Sequence, residues 1–148
     1  MENIAALQEF LKTPRNIVIT THQKPDGDAM GSSLALYNYL QPRGHEVRVI
    51  SPTEFPAYFG YLPGCDEVWN YLENPSLSQI AIESAELIFC LDFNDLGRIE
   101  PLNEFIKKNE TAKLVLIDHH LNPQIDAEWI LHDTKACSTC ELVYRLYE

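Results

Sequence analysis

Three short apolar runs, Ile17-Val18-Ile19, Leu87-Ile88-Phe89-Cys90-Leu91 and Leu114-Val115-Leu116-Ile117, show no polar alternation. A strand with one wet face alternates. Runs like these read as strands buried on both faces, as in a parallel sheet covered by helices. Each run also ends in ionisable residues: the first leads to His22, Asp26 and Asp28, the second to Asp92, and the third to Asp118-His119-His120. In an open parallel sheet the carboxyl ends line one edge, and the crevice where strand order reverses holds ligands. One Asp after a strand usually caps the next helix. Acids and imidazoles after three separate strands would be an unusual set of caps, and their convergence favours a metal site.

The remaining elements follow in chain order. Met1 to Leu11 reads as an amphipathic helix with Ile4, Leu7 and Leu11 on one face, ended by Thr13-Pro14. Asn16 to Thr20 is a strand, and a helix runs from about Ala29 to Leu40 with Asp28 as its cap. Gly44 turns the chain into a strand at Val47 to Ile50, giving a right-handed crossover between parallel strands. Ser51 to Gly64 is rich in Pro and aromatics without a period and reads as an irregular connection. Its rings suit stacking on a nucleobase or, more commonly, plugging a core edge. Short elements follow at Val68 to Tyr71 (strand) and Ser76 to Glu83 (helix). Pro101 to Lys108 is helical, Trp129 to Leu131 is an edge strand, and Ser138 to Tyr147 is a closing helix burying Leu142, Leu146 and Tyr147. The expected fold is α/β, a Rossmann-like three-layer domain with a mostly parallel sheet of about five strands.

Thr20 to Ser33, T-T-H-Q-K-P-D-G-D-A-M-G-S-S, joins the first strand to its helix and packs an imidazole and two carboxylates into one turn. Like charges so close repel, and a divalent cation relieves the repulsion; imidazole with carboxylates suits manganese, iron or zinc. Rival motifs fail on spacing. No Lys follows Gly31-Ser32, which excludes a P-loop, and there is no G-x-G-x-x-G. An EF-hand opening at Asp26 breaks at Met30 and Tyr37, where calcium needs oxygen donors. A serine-hydrolase G-x-S-x-G is missing.

The 148 residues, 45% hydrophobic and 22% charged, suit one domain with a real core. A net charge of −11 argues against a broad grip on duplex DNA or membrane surfaces. No run reaches the length of a membrane span, the start lacks signal-peptide features, and four cysteines are too few for a disulfide scaffold. A reduced, cytoplasmic protein is expected. Cys137-Ser138-Thr139-Cys140 is formally C-x-x-C, but without a second pair it reads as two small buried residues at a helix start.

T-H-x-x-P-D-G-D-A-x-G-S from Thr21, L-D-x-x-D from Leu91 and I-D-H-H from Ile117 together resemble the DHH phosphoesterases. S-T-C-E-L-V-Y from Ser138 is similar to the oligoribonuclease/pAp-phosphatase (nanoRNase-like) branch. The resemblance covers essentially the whole chain. It implies two manganese ions, with magnesium as the alternative: His22 and Asp26 on one, Asp28 and His119 on the other, and Asp92 bridging. It also implies Asp118 as an acceptor behind His119, His120 facing the phosphate, and Arg98 as the cation nearest a phosphate oxygen, a plain surface Arg being the alternative. The implied reaction is hydrolysis of small nucleotides or short single-stranded RNA, such as pAp, nanoRNA or linear dinucleotides, by a water activated between the metals. The rivals are a fragment that only binds metal or nucleotide, and a pyrophosphatase or exopolyphosphatase of the same superfamily. A homodimer is compatible with either. The family's D-T-G-like motif and G-G-G-H domain would follow Glu148, so residues 1–148 are expected to be the first part of a DHH domain; Asp133-Thr134 precedes the last helix and is not assigned to that motif.

Overall fold

The apolar runs form strands because both of their faces find helices. In the computed structural model, which describes residues 4–148, the order is α1 (Ile4–Phe10), β1 (Asn16–Thr20), α2 (Gly27–Leu40), β2 (Glu46–Ser51), β3 (Trp69–Asn70), α3 (Pro75–Ser84), β4 (Leu87–Leu91), α4 (Leu102–Lys108), β5 (Lys113–Asp118), β6 (Trp129–His132) and α5 (Thr139–Tyr147). The start of the helix expected from Met1 lies outside the described residues. The sheet has six strands in the order β3-β2-β1-β4-β5-β6, every neighbouring pair parallel. Both short runs anticipated at the edges pair, which makes six strands instead of about five.

Alternate residues of each central strand serve opposite cores. Ile17, Ile19, Leu87, Phe89, Leu91, Val115 and Ile117 face one layer with Leu7, Leu36 and Leu142. Val18, Ile88, Cys90 and Leu116 face the other with Ile82, Leu102 and Ile106. Each such aliphatic side chain contributes about 1.5–3 kcal/mol on burial. Gly44, with φ 91°, takes the left-handed turn that ordinary residues resist and sends the chain into β2. Gly31 lies where α2 meets α5; a Cβ there would sit 3.1 Å from the Cys140 sulfur.

Two sequence expectations shift. The cap of α2 is Asp26, whose carboxylate accepts the Ala29 N–H at 3.0 Å, so the helix begins at Gly27 and leaves Asp28 in its first turn. In the aromatic connection, Ala57–Tyr61 forms a 3₁₀ turn; Phe59 plugs a small core with Met30 and Leu34, while Tyr58 and Tyr61 stay exposed. No described helix is long and apolar enough to cross a membrane.

Candidate metal centre

Strand order reverses between β1 and β4, and the strand-end residues gather there. Beyond β1 the ladder runs one residue further, Thr21 N–H to the Ile50 carbonyl at 3.2 Å, and delivers a buried His22. Its Nδ1 lies 2.6 Å from the Gln23 carbonyl. With that nitrogen donating, Nε2 is left bare, 3.5 Å from Asp92 Oδ2 and 3.9 Å from Asp26 Oδ1.

Asp92 follows β4 directly and is 2% exposed. Its backbone is left-handed (φ 67°), a conformation costing a non-glycine residue on the order of 1–3 kcal/mol. The surroundings hold it there: its N–H reaches the Ile117 carbonyl at 3.0 Å, and Oδ1 accepts the Thr139 hydroxyl at 3.0 Å. The same oxygen lies 3.5 Å from His119 Nε2 and 4.0 Å from His120 Nδ1.

At the end of β5, Asp118 Oδ1 is 2.6 Å from His120 Nδ1. The acceptor expected behind His119 therefore stands behind His120. Asp118 is the last residue of β5, and the bend that follows it brings His120 back over its carboxylate, with the His119 and His120 rings 4.6 Å apart. His119 instead points Nε2 to within 3.4 Å of Asp28 Oδ2. His132 of β6, which pairs with Asp118 in register, places its Nε2 2.6 Å from the His120 carbonyl.

Helix α5 reaches back to the same centre. Thr139 and Cys140 donate their N–H groups to the two oxygens of Asp28 at 2.9 and 3.0 Å. Thr139 and His132 were not anticipated as parts of the centre. The only local sign of Thr139 is its place in S-T-C-E-L-V-Y, and nothing local marks His132.

Two donor sets result, His22/Asp26/Asp92 and Asp92/His119/His120, each with ligand atoms within 4.8 Å of one another and Asp92 common to both. Asp28 flanks the second set. His120, expected only to face the phosphate, is drawn into it. The electrostatics fit a cation. Burial, reinforced by the neighbouring charge of Asp28, raises the Asp92 pKa. For His22, burial works against protonation, but the bond to Asp92 and the Gln23 carbonyl outweigh it and the pKa rises. For Asp28, burial is outweighed by the α5 amides and the pKa falls. Imidazoles and carboxylates crowded in this way, with lone pairs still free, are the donor set that hard and borderline divalent cations take.

Other candidates separate from the centre. Arg98 is exposed and makes no ion pair among the described residues; its carbonyl accepts the Gln23 N–H at 2.9 Å, beside the His22 loop. Asp133 pairs with Arg145 at 3.0 Å in a surface contact. Cys140 is half-buried at the helix start, and burial with the Asp28 charge pushes its thiol up to about 12, which leaves it unreactive. Cys137, expected to be buried, is exposed, and Ala136 beside it is the residue turned into the core.

The chain matches the model for the DHH family, N-terminal domain, over residues 16–148. It is 30% identical over 151 residues to the bifunctional oligoribonuclease and PAP phosphatase NrnA of Thermus thermophilus, across 99% of this chain and 41% of that protein. It is 31% identical over 133 residues to the NrnA of Bacillus subtilis, across 88% and 37%. The chain thus spans about two fifths of the length of these curated relatives. An exopolyphosphatase-related protein from Bacteroides fragilis shares the fold with a TM-score of 0.93 and 34% identity, over 98% of this chain and 42% of that one.

Proposed function

The chain belongs to the DHH family, and from that membership we propose that residues 1–148 form a DHH-type domain that hydrolyses phosphate esters of small nucleotides or short oligoribonucleotides with two divalent cations, manganese foremost. The observation that carries the reading is the sharing of Asp92 by two donor sets at the strand-order reversal. His22, Asp26 and Asp92 would hold one cation, and Asp92 with His119 the other, flanked by Asp28 and His120. Such a pair supplies Lewis-acid charge at the phosphoryl oxygens and a more acidic water.

The protein's own groups do the rest. Gln23 orients His22 through Nδ1, and Thr139 orients Asp92, so the donors are placed before any substrate arrives. His120, held at Nδ1 by Asp118, can turn Nε2 outward; its side chain is 41% exposed, which gives it a path to an incoming phosphate. An N–H at His120 Nε2 would donate to a phosphoryl oxygen and offset its growing charge, and the Arg98 guanidinium, carried by the segment bonded to Gln23, would have to reach in from the surface to do the same.

The test is release of phosphate from pAp and of mononucleotide from a diribonucleotide with added Mn²⁺, tripolyphosphate being the comparison substrate because of the exopolyphosphatase-related likeness. Asp92→Ala is expected to lose at least about 10³-fold in rate, since both donor sets lose their common member. Equal activity in that variant would overturn the mechanism. Calorimetry showing one tightly bound metal with no turnover on any of these substrates would point instead to a binding-only domain.

A further inference from the structure

Next to the centre runs a groove of about 520 Å³ that no step above uses. Lys24, Pro25 and Asp26 of the loop that carries His22 line one wall and Glu54, Phe55, Pro56 and Tyr58 of the aromatic connection the other, and Asp26 is common to the groove and to a donor set. The two walls are tied together: the Lys24 N–H donates to Thr53 Oγ1 at 2.7 Å, one residue before Glu54. Lys24 itself holds a left-handed backbone (φ 49°) between His22 and Asp26, a conformation that is locally unfavourable for a non-glycine residue. Tyr58 is 70% exposed, whereas its neighbour Phe59 is buried with Met30 and Leu34. The two rings lie 4.7 Å apart, so the exposed ring rides on an anchored turn.

We infer that this groove is a nucleobase subsite in which Tyr58 stacks on the base of the nucleotide whose phosphate reaches the Asp92 centre, an inference that rests on the phosphoesterase reading above. A flat ring with an apolar face matches Phe55, Pro56 and Tyr58, and the exocyclic amines or ribose hydroxyls that a nucleoside carries can donate to Glu54. A polyphosphate chain matches poorly. It would lie against the Glu54 carboxylate with Lys24 as the one cation in the groove lining, enough for a single phosphate and not for a run of them. The subsite therefore selects nucleotides over inorganic polyphosphate, and it does so through a residue outside the donor sets.

The test titrates AMP and ribose 5-phosphate into the whole chain with Mn²⁺ present, by calorimetry, for wild type, Tyr58→Ala and Tyr58→Phe. Tyr58→Ala is expected to weaken AMP by between about 5-fold and 150-fold while moving ribose 5-phosphate by less than about twofold, and Tyr58→Phe to restore AMP. The exposure of Tyr58 keeps the variants folded. The inference is overturned if wild type does not bind AMP, if Tyr58→Ala binds it as wild type does, or if ribose 5-phosphate weakens in parallel. Hydrolysis of pAp separates the two ideas. AMP binding that depends on Tyr58 in a protein without phosphoesterase activity leaves the subsite and removes the reaction. Turnover with AMP binding indifferent to Tyr58 does the reverse.

Discussion

Thr139 shows how much one small side chain carries. It is fully buried, its hydroxyl donates to Asp92 Oδ1, and its N–H donates to Asp28 Oδ2. Thr139→Val keeps the shape and removes the hydroxyl, leaving a buried carboxylate oxygen short of a donor at a cost of about 1–3 kcal/mol. Manganese affinity is expected to fall about 10–100-fold, as for other supports behind metal ligands, and Thr139→Ser to retain it. Isothermal titration reads both; a valine variant that binds as wild type would show the hydroxyl to be dispensable. At this scale the convergence of His22, Asp26, Asp92 and His119 was legible because each follows an apolar run that ends at the same edge of the sheet. Thr139 was not, since a hydroxyl at a helix start reads as a cap and its bond to Asp92 spans 47 residues. The exchange of His120 for His119 as the partner of Asp118 was not legible, because it is made at the bend after β5, where strand periodicity no longer applies.

The same carboxylates tie elements together. From the first turn of α2 the Asp28 carboxylate accepts the first two N–H groups of α5, whose cap is Ser138, and the two helices close on each other at Gly31 and Cys140. Because the α5 amides lower the Asp28 pKa against the effect of burial, this contact stabilises the fold above the ordinary carboxylate range and is lost as pH falls. In EDTA at pH 7, Asp28→Ala is expected to lose about 1–3 kcal/mol, read from urea denaturation. The gap to wild type should narrow toward pH 3. A gap unchanged in acid would mean that packing, not charge, supplies it. Runs without alternation identified the strands and their two covered faces, and β1 and β4 fall where expected. The helix starts were less legible: Asp26 and Asp28 flank Gly27 and either can cap, and the choice depends on α5, over a hundred residues away, taking one of them.

For the molecule as a whole, the acidic balance and the acidic crevice make metal part of the stability. The net charge is −11, and Asp26, Asp28 and Asp92 converge where β1 and β4 end. Burial raises the Asp92 pKa, so the folded protein holds that proton more tightly than the unfolded chain does. Its contribution is favourable at low pH and is lost as pH rises through the folded pKa, leaving the metal-free protein carrying an unfavourable charge at neutrality. A bound cation reverses this. At about 100 times the dissociation constant, Mn²⁺ should add about 2.7 kcal/mol, or roughly 5–10 °C in Tm for a chain of this size. Asp92→Asn keeps the acceptor for Thr139, and its amide can donate to the bare Nε2 of His22. It should therefore melt higher than wild type in EDTA at pH 8 and lose most of the Mn²⁺-induced gain. Scanning calorimetry of both proteins with and without Mn²⁺ reads the crossing. An equal gain in the two would show that Asp92 is not the carboxylate the donor sets share through metal, and a variant less stable than wild type in EDTA would show that its charge is not the cost assigned to it.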